Sequence, residues 1–284
     1  MKNLIKRIIG TRFIRELFKL SWNPYYDYTF HDTADTFDEA VRKINENKSF
    51  KNYEEIFNYL DKELESIKDI GIDKQDVHSI VPIFISAINI SNINKINSIL
   101  DIGGGVNPIS FYIKKYTNYQ IQSCILETES YTKKLNQITK DINYLNYFSD
   151  LNQINQKNFD LVYFGSSLQY FKDTAHEFLD KTLNYHPNWV IITRNFFVEG
   201  DEDLYSLQSN GRYHLIPHKF FSKKKLVKFL SKRDFKLIFE TKHDVVRKHK
   251  TMNSSEFSYQ SLIFKKIILI KISIMNSKRP KTLL

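Results

Sequence analysis

The chain has 284 residues, 42 lysines and arginines against 32 aspartates and glutamates, and one cysteine. A chain of this length can bury the core of one large α/β domain with an added helical piece, so a disulfide scaffold is not required. Cys124 alone excludes an internal disulfide and a cysteine-cluster zinc site. Arginines at 7, 12 and 15 interrupt the apolar core that a signal peptide needs, so we expect a cytoplasmic protein.

The net charge of +10 favours anionic partners, but it does not choose among nucleotides, phosphorylated sugars, nucleic acid and acidic lipid. Basic residues at 223–225, 228 and 232–233 surround Leu226 and Leu230, which indicates the solvated face of an amphipathic helix, and we expect no specific nucleic-acid partner. No stretch is long and apolar enough to span a bilayer. The basic amphipathic start, residues 2–13, can lie on an acidic membrane surface or dock on the core or a second subunit.

Residues 1–92 are predicted to form a helical N-terminal segment. Thr36 and Glu39 have the spacing of a capping box, which predicts a helix that begins there. Leucines and an isoleucine at a spacing of four predict a second helix over about 53–67, and a third is expected over about 77–89.

From 93 to 275 short β-branched or aromatic runs alternate with helical patterns, which is typical of a mostly parallel sheet with crossover helices. Residues 276–284 resemble a free basic tail. The predicted strands are 98–102, 120–127, 144–148, 159–164, 189–193, 236–241 and 261–266, and the predicted helices are about 108–116, 130–138, 174–184 and 222–232.

The first of these strands ends in Asp101-Ile102-Gly103-Gly104-Gly105, and a helix is expected to follow. Glycine permits a positive φ and lets a bound cofactor approach the backbone closely. Asn107 can cap the helix, and Pro108 suits its first turn. The turn therefore directs backbone N–H groups and a helix N-terminus at the strand ends, where open α/β sheets bind ligands.

An acidic residue ends the second predicted strand. Glu127 lies 24 residues after Gly103, and its carboxylate can accept hydrogen bonds from both ribose hydroxyls of an adenosine. Glu129 is an alternative for this role. At the end of the third strand, Ser149 and Asp150 are candidates to meet the adenine.

Three segments resemble the class I S-adenosylmethionine methyltransferases: Leu-Asp-Ile-Gly-Gly-Gly at 100–105, Leu-Glu at 126–127 and Phe-Asp-Leu-Val-Tyr-Phe-Gly-Ser-Ser-Leu-Gln-Tyr-Phe at 159–171. More narrowly, about residues 22–266 are similar to a family of methyltransferase-like proteins among bacterial surface-polysaccharide biosynthesis proteins. Ser-Ser-Leu-Gln-Tyr, Ile-Ile-Thr-Arg-Asn at 191–195 and Phe-Phe-Ser-Lys-Lys at 220–224 add to this likeness.

The resemblance implies a Rossmann-like, seven-stranded, mostly parallel sheet with an antiparallel last strand. It also implies that S-adenosylmethionine lies over the first two strand ends, with its ribose held by Glu127. Asn107 departs from the commonest loop, which has another glycine there. The cofactor-binding residues expected from the motifs are Asp101, Gly103, Gly104, Gly105, Glu127, Ser149, Asp150 and Ser166.

Methyl transfer depends mainly on alignment of the two reactants, and a base is needed only for a hydroxyl or a protonated amine acceptor. His214 and His218 are candidate bases in a loop expected to overhang the strand ends, and loop packing is the alternative. Gln169, with its neighbour Tyr170, is placed to orient an acceptor. Arg194 is placed to pair with a carboxylate or phosphate of the acceptor, or with an acidic residue at 199 or 201 of the chain itself.

The leading hypothesis is a methyltransferase that acts on a small or carbohydrate-linked acceptor. A nucleotide-dependent oxidoreductase requires a third glycine near position 108, where this chain has proline, and leaves Asp101 unexplained. A non-catalytic protein that binds anionic partners through its basic surface is the third alternative.

Overall fold

The computed structural model describes residues 30–47, 52–55, 64–71, 96–117, 119–172, 175–210, 214–242, 249, 251–252 and 256–267. The strands are β1 Phe30–Ala34, β2 Ser98–Ile102, β3 Gln122–Leu126, β4 Leu145–Phe148, β5 Leu161–Gly165, β6 Trp189–Val198, β7 Leu204–Asn210, β8 His214–Ser222, β9 Phe235–Lys242 and β10 Phe257–Lys266. The α-helices are α1 Phe37–Glu46, α2 Ile109–Thr117, α3 Glu129–Ile138, α4 Ala175–Leu183 and α5 Lys223–Ser231, and short 3-10 helices cover Leu151–Gln153 and Leu168–Tyr170.

Within these ranges seven strands form a central sheet in the order β4-β3-β2-β5-β6-β10-β9. Neighbours from β4 to β6 are parallel, whereas β10 is antiparallel to both β6 and β9. The predicted Rossmann-like, mostly parallel sheet with an antiparallel last strand is therefore confirmed. The carboxyl ends of β2, β3, β4 and β5 meet at one edge of this sheet, which positions the candidate site.

Apolar side chains alternate between the two faces of the central sheet, and helices cover both. On one face Leu100 and Val162 belong to a core with α4 and α5, where Leu226 and Leu230 are fully buried. On the other face alternate residues such as Ile99 pack with α2. The lysine-rich segment at 223–231 is therefore an amphipathic helix on the core, as its pattern predicts.

The remaining three strands, β1, β7 and β8, form an antiparallel ribbon beside the central sheet. It joins the sheet where Phe197 and Val198 of β6 pair in parallel with Phe221 and Ser222 of β8. Two sequence predictions are wrong here, because Phe30–Ala34 lies in a segment expected to be helical and 214–218 in a stretch expected to be a loop. Their pairing is non-local: the Ser206 hydroxyl donates to the Asp32 carbonyl over 174 residues, at 3.0 Å.

The helix predicted at Thr36 is confirmed as α1. The Thr36 hydroxyl accepts a hydrogen bond from the Glu39 N–H at 3.2 Å, while the Glu39 carboxylate accepts from the Asp35 N–H rather than from Thr36. Phe37, Ala40 and Ile44 of α1 pack on the β7–β8 hairpin. The helix predicted over 77–89 and both predicted domain boundaries lie outside the described residues, as do most of the helix over 53–67 and the basic N-terminal start. None of the described helices is long and apolar enough to cross a bilayer.

Candidate active site

The turn after β2 has the backbone geometry that its glycines predict. Gly103 has φ +73°, and a Cβ there would lie 2.6 Å from the Cβ of Ser167. At Gly104 a Cβ would lie 2.7 Å from a carboxylate oxygen of Asp101. Both positions therefore exclude a side chain, because the turn is pressed between the segment after β5 and the end of its own strand.

Asp101, the last-but-one residue of β2, is fully buried under this turn. Its Oδ2 accepts a hydrogen bond from the Ile109 N–H at 3.0 Å and so satisfies the first turn of α2. This is the role that the sequence suggested for Asn107, whose side-chain oxygen instead accepts from the Tyr112 hydroxyl at 2.6 Å. Burial raises the pKa of Asp101 to about 7, and the negative charge of Glu127 contributes to the rise.

The structure brings Glu127 against the glycine turn. Its Oε1 accepts a hydrogen bond from the Gly105 N–H at 2.8 Å, and its Oε2 accepts from the Thr128 N–H at 3.2 Å. Burial raises the pKa of this carboxyl, whereas the two N–H groups act to lower it. A carboxylate offers about four acceptor positions, so about two remain for the vicinal hydroxyls of a ribose.

Tyr147 of β4 holds the other side of the same turn, and the sequence analysis missed it. Its hydroxyl donates to the Gly105 carbonyl at 3.0 Å, so Gly105 is bound through both backbone groups. Burial raises the pKa of Tyr147, which keeps the hydroxyl protonated as a donor. No local pattern distinguishes this tyrosine from the chain's other tyrosines, because its role depends on a contact over 42 residues.

Ser149 and Asp150 follow β4, as predicted, and both take part in the short helix after it. Asp150 accepts from the Asn152 N–H at 2.8 Å, and the Ser149 N–H donates to Gln153 at 3.1 Å. These residues line a cavity of about 680 Å³ that Leu126, at the end of β3, also borders. The cavity thus begins beside the strand end that carries Glu127.

The backbone is left-handed at the residue that follows β5 and again in the middle of β6. Ser166 has φ 62° and Arg194 has φ 56°, although neither is glycine. The Ser166 N–H donates to the Thr193 carbonyl at 3.0 Å, and the Arg194 N–H donates to the Ser261 hydroxyl at 3.2 Å. Left-handed non-glycine residues cost about 1–3 kcal/mol each and occur most often at functional sites.

Gln169 and His218 reach this region from different elements. Gln169 is buried and donates to the carbonyl and the hydroxyl of Ser166, at 2.6 and 2.9 Å. His218 lies inside β8 rather than in a loop, where it is buried among phenylalanines and its ring packs edge-on against Tyr170, with centroids 5.5 Å apart. His214 is the first residue of β8 and pairs with Asn210 of β7. Of the two predicted bases, His218 contacts the segment after β5, through the ring of Tyr170.

Gln208 of β7 links these residues and was missed by sequence reasoning. The His218 Nδ1 lies 2.6 Å from the Gln208 Oε1, and the Tyr170 hydroxyl donates to the same oxygen at 3.3 Å. In the hairpin register His218 pairs with Ser206, and Gln208 lies two residues further along β7. Gln208 could therefore be found from the sequence only after β7 and β8 were recognised as a hairpin.

No family model matches the chain, and no curated protein matches it. Several solved structures match it. The N-terminal domain of EvdMO1, crystallised with S-adenosylhomocysteine and D-fucose, is 13% identical over 78% of this chain and 100% of that chain, with a TM-score of 0.47. The Burkholderia thailandensis 1,6-didemethyltoxoflavin-N1-methyltransferase, with bound 1,6-didemethyltoxoflavin and S-adenosylhomocysteine, is 14% identical over 78% and 93%, with a TM-score of 0.44.

An S-adenosylmethionine-dependent methyltransferase from Clostridium acetobutylicum is 12% identical over 75% of this chain and 98% of that chain, with a TM-score of 0.42. TM-scores under 0.5 at such identities leave the reaction of this chain to be inferred from its own residues. Within the described residues, the mostly parallel central sheet, its antiparallel strand β10 and the glycine turn at the end of β2 define a Rossmann-like α/β fold.

Proposed function

We propose that this chain is an S-adenosylmethionine-dependent methyltransferase acting on a small or carbohydrate-linked acceptor. The observation that carries the proposal is the bond between the Gly105 N–H and the Glu127 carboxylate. This bond joins the glycine turn and the acid at the end of β3 into one hydrogen-bonded unit, at the edge where open α/β sheets bind nucleotides.

The residues of the unit fit the cofactor. Asp101 Oδ1 is buried and has no hydrogen-bond partner within the described ranges, so it can accept from the ammonium group of the methionine moiety. The remaining acceptor positions of Glu127 suit the ribose diol, and we assign the adenine to the end of the cavity that Leu126, Ser149 and Asp150 border. Bound S-adenosylmethionine supplies an electrophilic methyl group, and the chain's task is to hold and align the acceptor.

On the acceptor side we assign orientation to Gln169, proton removal to His218 and, for an anionic acceptor, charge pairing to Arg194. The contact of the His218 ring with Tyr170, the chain neighbour of Gln169, supports the first two assignments, because Tyr170 belongs to the segment that follows β5. The narrower sequence resemblance favours an acceptor linked to a surface polysaccharide. Contact of the basic N-terminal start, residues 2–13, with an acidic membrane surface stays a prediction.

Calorimetric titration tests the cofactor assignment directly. The protein should bind S-adenosylmethionine and S-adenosylhomocysteine with micromolar or tighter dissociation constants and should bind NADH at least about a hundredfold more weakly, about 2.7 kcal/mol. Tight binding of NADH would support the oxidoreductase instead. Binding of none of the three would exclude both enzymatic assignments.

A further inference from the structure

Two buried amide side chains belong to one hydrogen-bond chain at the junction of β5 and β6. Gln169 is 1% exposed and donates to the Ser166 carbonyl at 2.6 Å; Asn195 is 0% exposed and donates to the Thr193 carbonyl at 2.8 Å. The Ser166 N–H donates to the same Thr193 carbonyl at 3.0 Å. The two amides are thus connected through Ser166 and Thr193.

The chemistry of the partners determines which end of each amide faces them. A backbone carbonyl can only accept a hydrogen bond, so the NH₂ group of each amide must face it. Rotation of either amide by 180° would bring two oxygens together without a proton between them. The oxygens of Gln169 and Asn195 are therefore directed away from these carbonyls.

Neither oxygen finds a donor. Gln169 Oε1 and Asn195 Oδ1 are both buried and lack a hydrogen-bond partner in the part of the chain that the structure describes. A buried acceptor without a donor is costly, and such groups are rare in folded proteins outside functional sites and water-binding pockets. Here the two oxygens occur together with the left-handed residues Ser166 and Arg194.

The pair lies next to the proposed cofactor turn. Ser167, adjacent to Ser166, donates through its hydroxyl to the Ile102 carbonyl at 2.5 Å, and its Cβ occupies the space a side chain on Gly103 would need. A group held against Gln169 is consequently close to the end of β2, where the methionine moiety is expected. The 3-10 helix that carries Gln169 also carries Tyr170, a residue that is 46% exposed.

We propose that Gln169 Oε1 and Asn195 Oδ1 accept hydrogen bonds from the methyl acceptor, which therefore belongs to the class of compounds with at least two O–H or N–H donors. This inference rests on the proposed function. Polyhydroxylated and amino compounds satisfy both oxygens. A carboxylate or phosphate group presents only acceptors to these two oxygens, and an apolar ring leaves them unsatisfied, so neither fits at this position. An anionic group elsewhere on the same acceptor can still pair with Arg194.

Three six-membered-ring probes test the class, each titrated into protein saturated with S-adenosylhomocysteine and followed by ligand-observed NMR. Methyl glucoside and glucosamine carry several donors, whereas methoxycyclohexane carries none and has no charge that could pair with Arg194. Each donor-bearing probe should bind at least about tenfold more tightly than methoxycyclohexane. Equal affinities, or no binding of either donor-bearing probe, would overturn the proposal and indicate that ordered water satisfies the two oxygens.

Variants test the two residues. Gln169→Met and Asn195→Leu should each weaken binding of the donor-bearing probes at least about tenfold while S-adenosylhomocysteine affinity changes less than about twofold. Gln156→Met is the matched control, because this partly exposed amide also donates to a backbone carbonyl, that of Asn158 at 2.7 Å, and lies before β5 at the opposite edge. It should leave probe binding unchanged.

Gln169→Glu covers the case in which Gln169→Met does not fold. Its carboxyl keeps the shape of the amide and, when protonated, the bond to Ser166, so probe binding should decrease as the pH rises. Unchanged probe affinity in all folded variants, with S-adenosylhomocysteine still bound, would refute the inference alone. Failure of the wild-type protein to bind S-adenosylhomocysteine would refute the proposed function.

Discussion

The Gly105 N–H and the Glu127 carboxylate lie 2.8 Å apart, although 22 residues separate them in the chain. The bond orients the carboxylate before any ligand arrives, and the Thr128 N–H orients its second oxygen. A preorganised acceptor loses less side-chain entropy on binding than a mobile one. Glu127 is therefore expected to contribute more to cofactor affinity than an exposed acid on the same loop.

Glu127→Gln tests this expectation. The substitution removes the charge and one acceptor oxygen, and bonds to charged groups contribute about 1.5–3 kcal/mol, so S-adenosylmethionine affinity should fall about tenfold to a hundredfold. Glu129→Gln is the control, because Glu129 is exposed at the start of α3. Calorimetry on both variants decides between the two acids, and an equal loss in both would contradict the assignment.

Gly103→Ala should disturb the turn itself. The added Cβ would lie 2.6 Å from the Cβ of Ser167. The alanine would also have to adopt φ +73°, a backbone conformation that costs a non-glycine residue about 1–2 kcal/mol before any clash. We expect the free energy of unfolding in urea to fall by at least about this amount. Gly200→Ala, with nothing within 4 Å of its Cβ, should change it by less than about 0.5 kcal/mol. Comparable stability of both variants would show that the turn relaxes freely.

The raised pKa of Asp101 predicts a pH dependence of stability. Because its pKa rises from 3.8 in the unfolded chain to about 7 in the fold, the folded state binds the extra proton between these values. Its contribution to stability is therefore fully present below pH 3.8 and is lost as the pH rises towards 7. The difference in unfolding free energy between wild type and Asp101→Asn, measured from pH 4 to 8, should decrease up to about pH 7 and then level off. A difference that stays constant across this range would contradict the burial of Asp101.

His249 predicts a dependence of opposite sign. Its Nδ1 accepts from the backbone N–H groups of Thr251 and Met252, at 3.2 and 3.1 Å, so the proton lies on Nε2, which is 2.8 Å from the Ser206 hydroxyl. Burial lowers the pKa of His249 from 6.5 to about 4. Its stabilising contribution is present above pH 6.5 and is lost as the pH falls towards 4.

Thermal melts between pH 4 and 7 test the role of His249. The wild type should lose more stability on acidification than His249→Gln, which cannot acquire this charge. His186→Gln, at an exposed position, serves as the control and should follow the wild type. Parallel pH curves for the wild type and His249→Gln would mean that His249 does not titrate as a buried group.

The predicted strands and helices of the central sheet were largely correct because their evidence is local. Ile99 and Leu100 face opposite cores, as the alternation in β2 indicates, and Ser222 caps α5 by accepting from the Lys225 N–H at 3.2 Å. The ribbon was missed because Phe30–Ala34 pairs with a strand more than 170 residues away, and no local period indicates such a partner. The extension of β6 beyond residue 193 was missed for the same reason, since it pairs with β10 and β8.

The sequence by itself determined the glycine turn, the acid at the end of the next strand and the parallel order around them, since short-range sterics and hydrophobic alternation specify these features. Only the tertiary structure decided that Asp101 caps α2, that Tyr147 holds Gly105, and that Gln169 and Asn195 join one chain of bonds. The bonds of Tyr147, Gln169 and Asn195 depend on how neighbouring strands meet, and the bond of Asp101 depends on how the glycine turn brings α2 back over the end of β2. A buried polar group takes whichever partner the packed fold brings within reach, and residue type alone does not specify that partner.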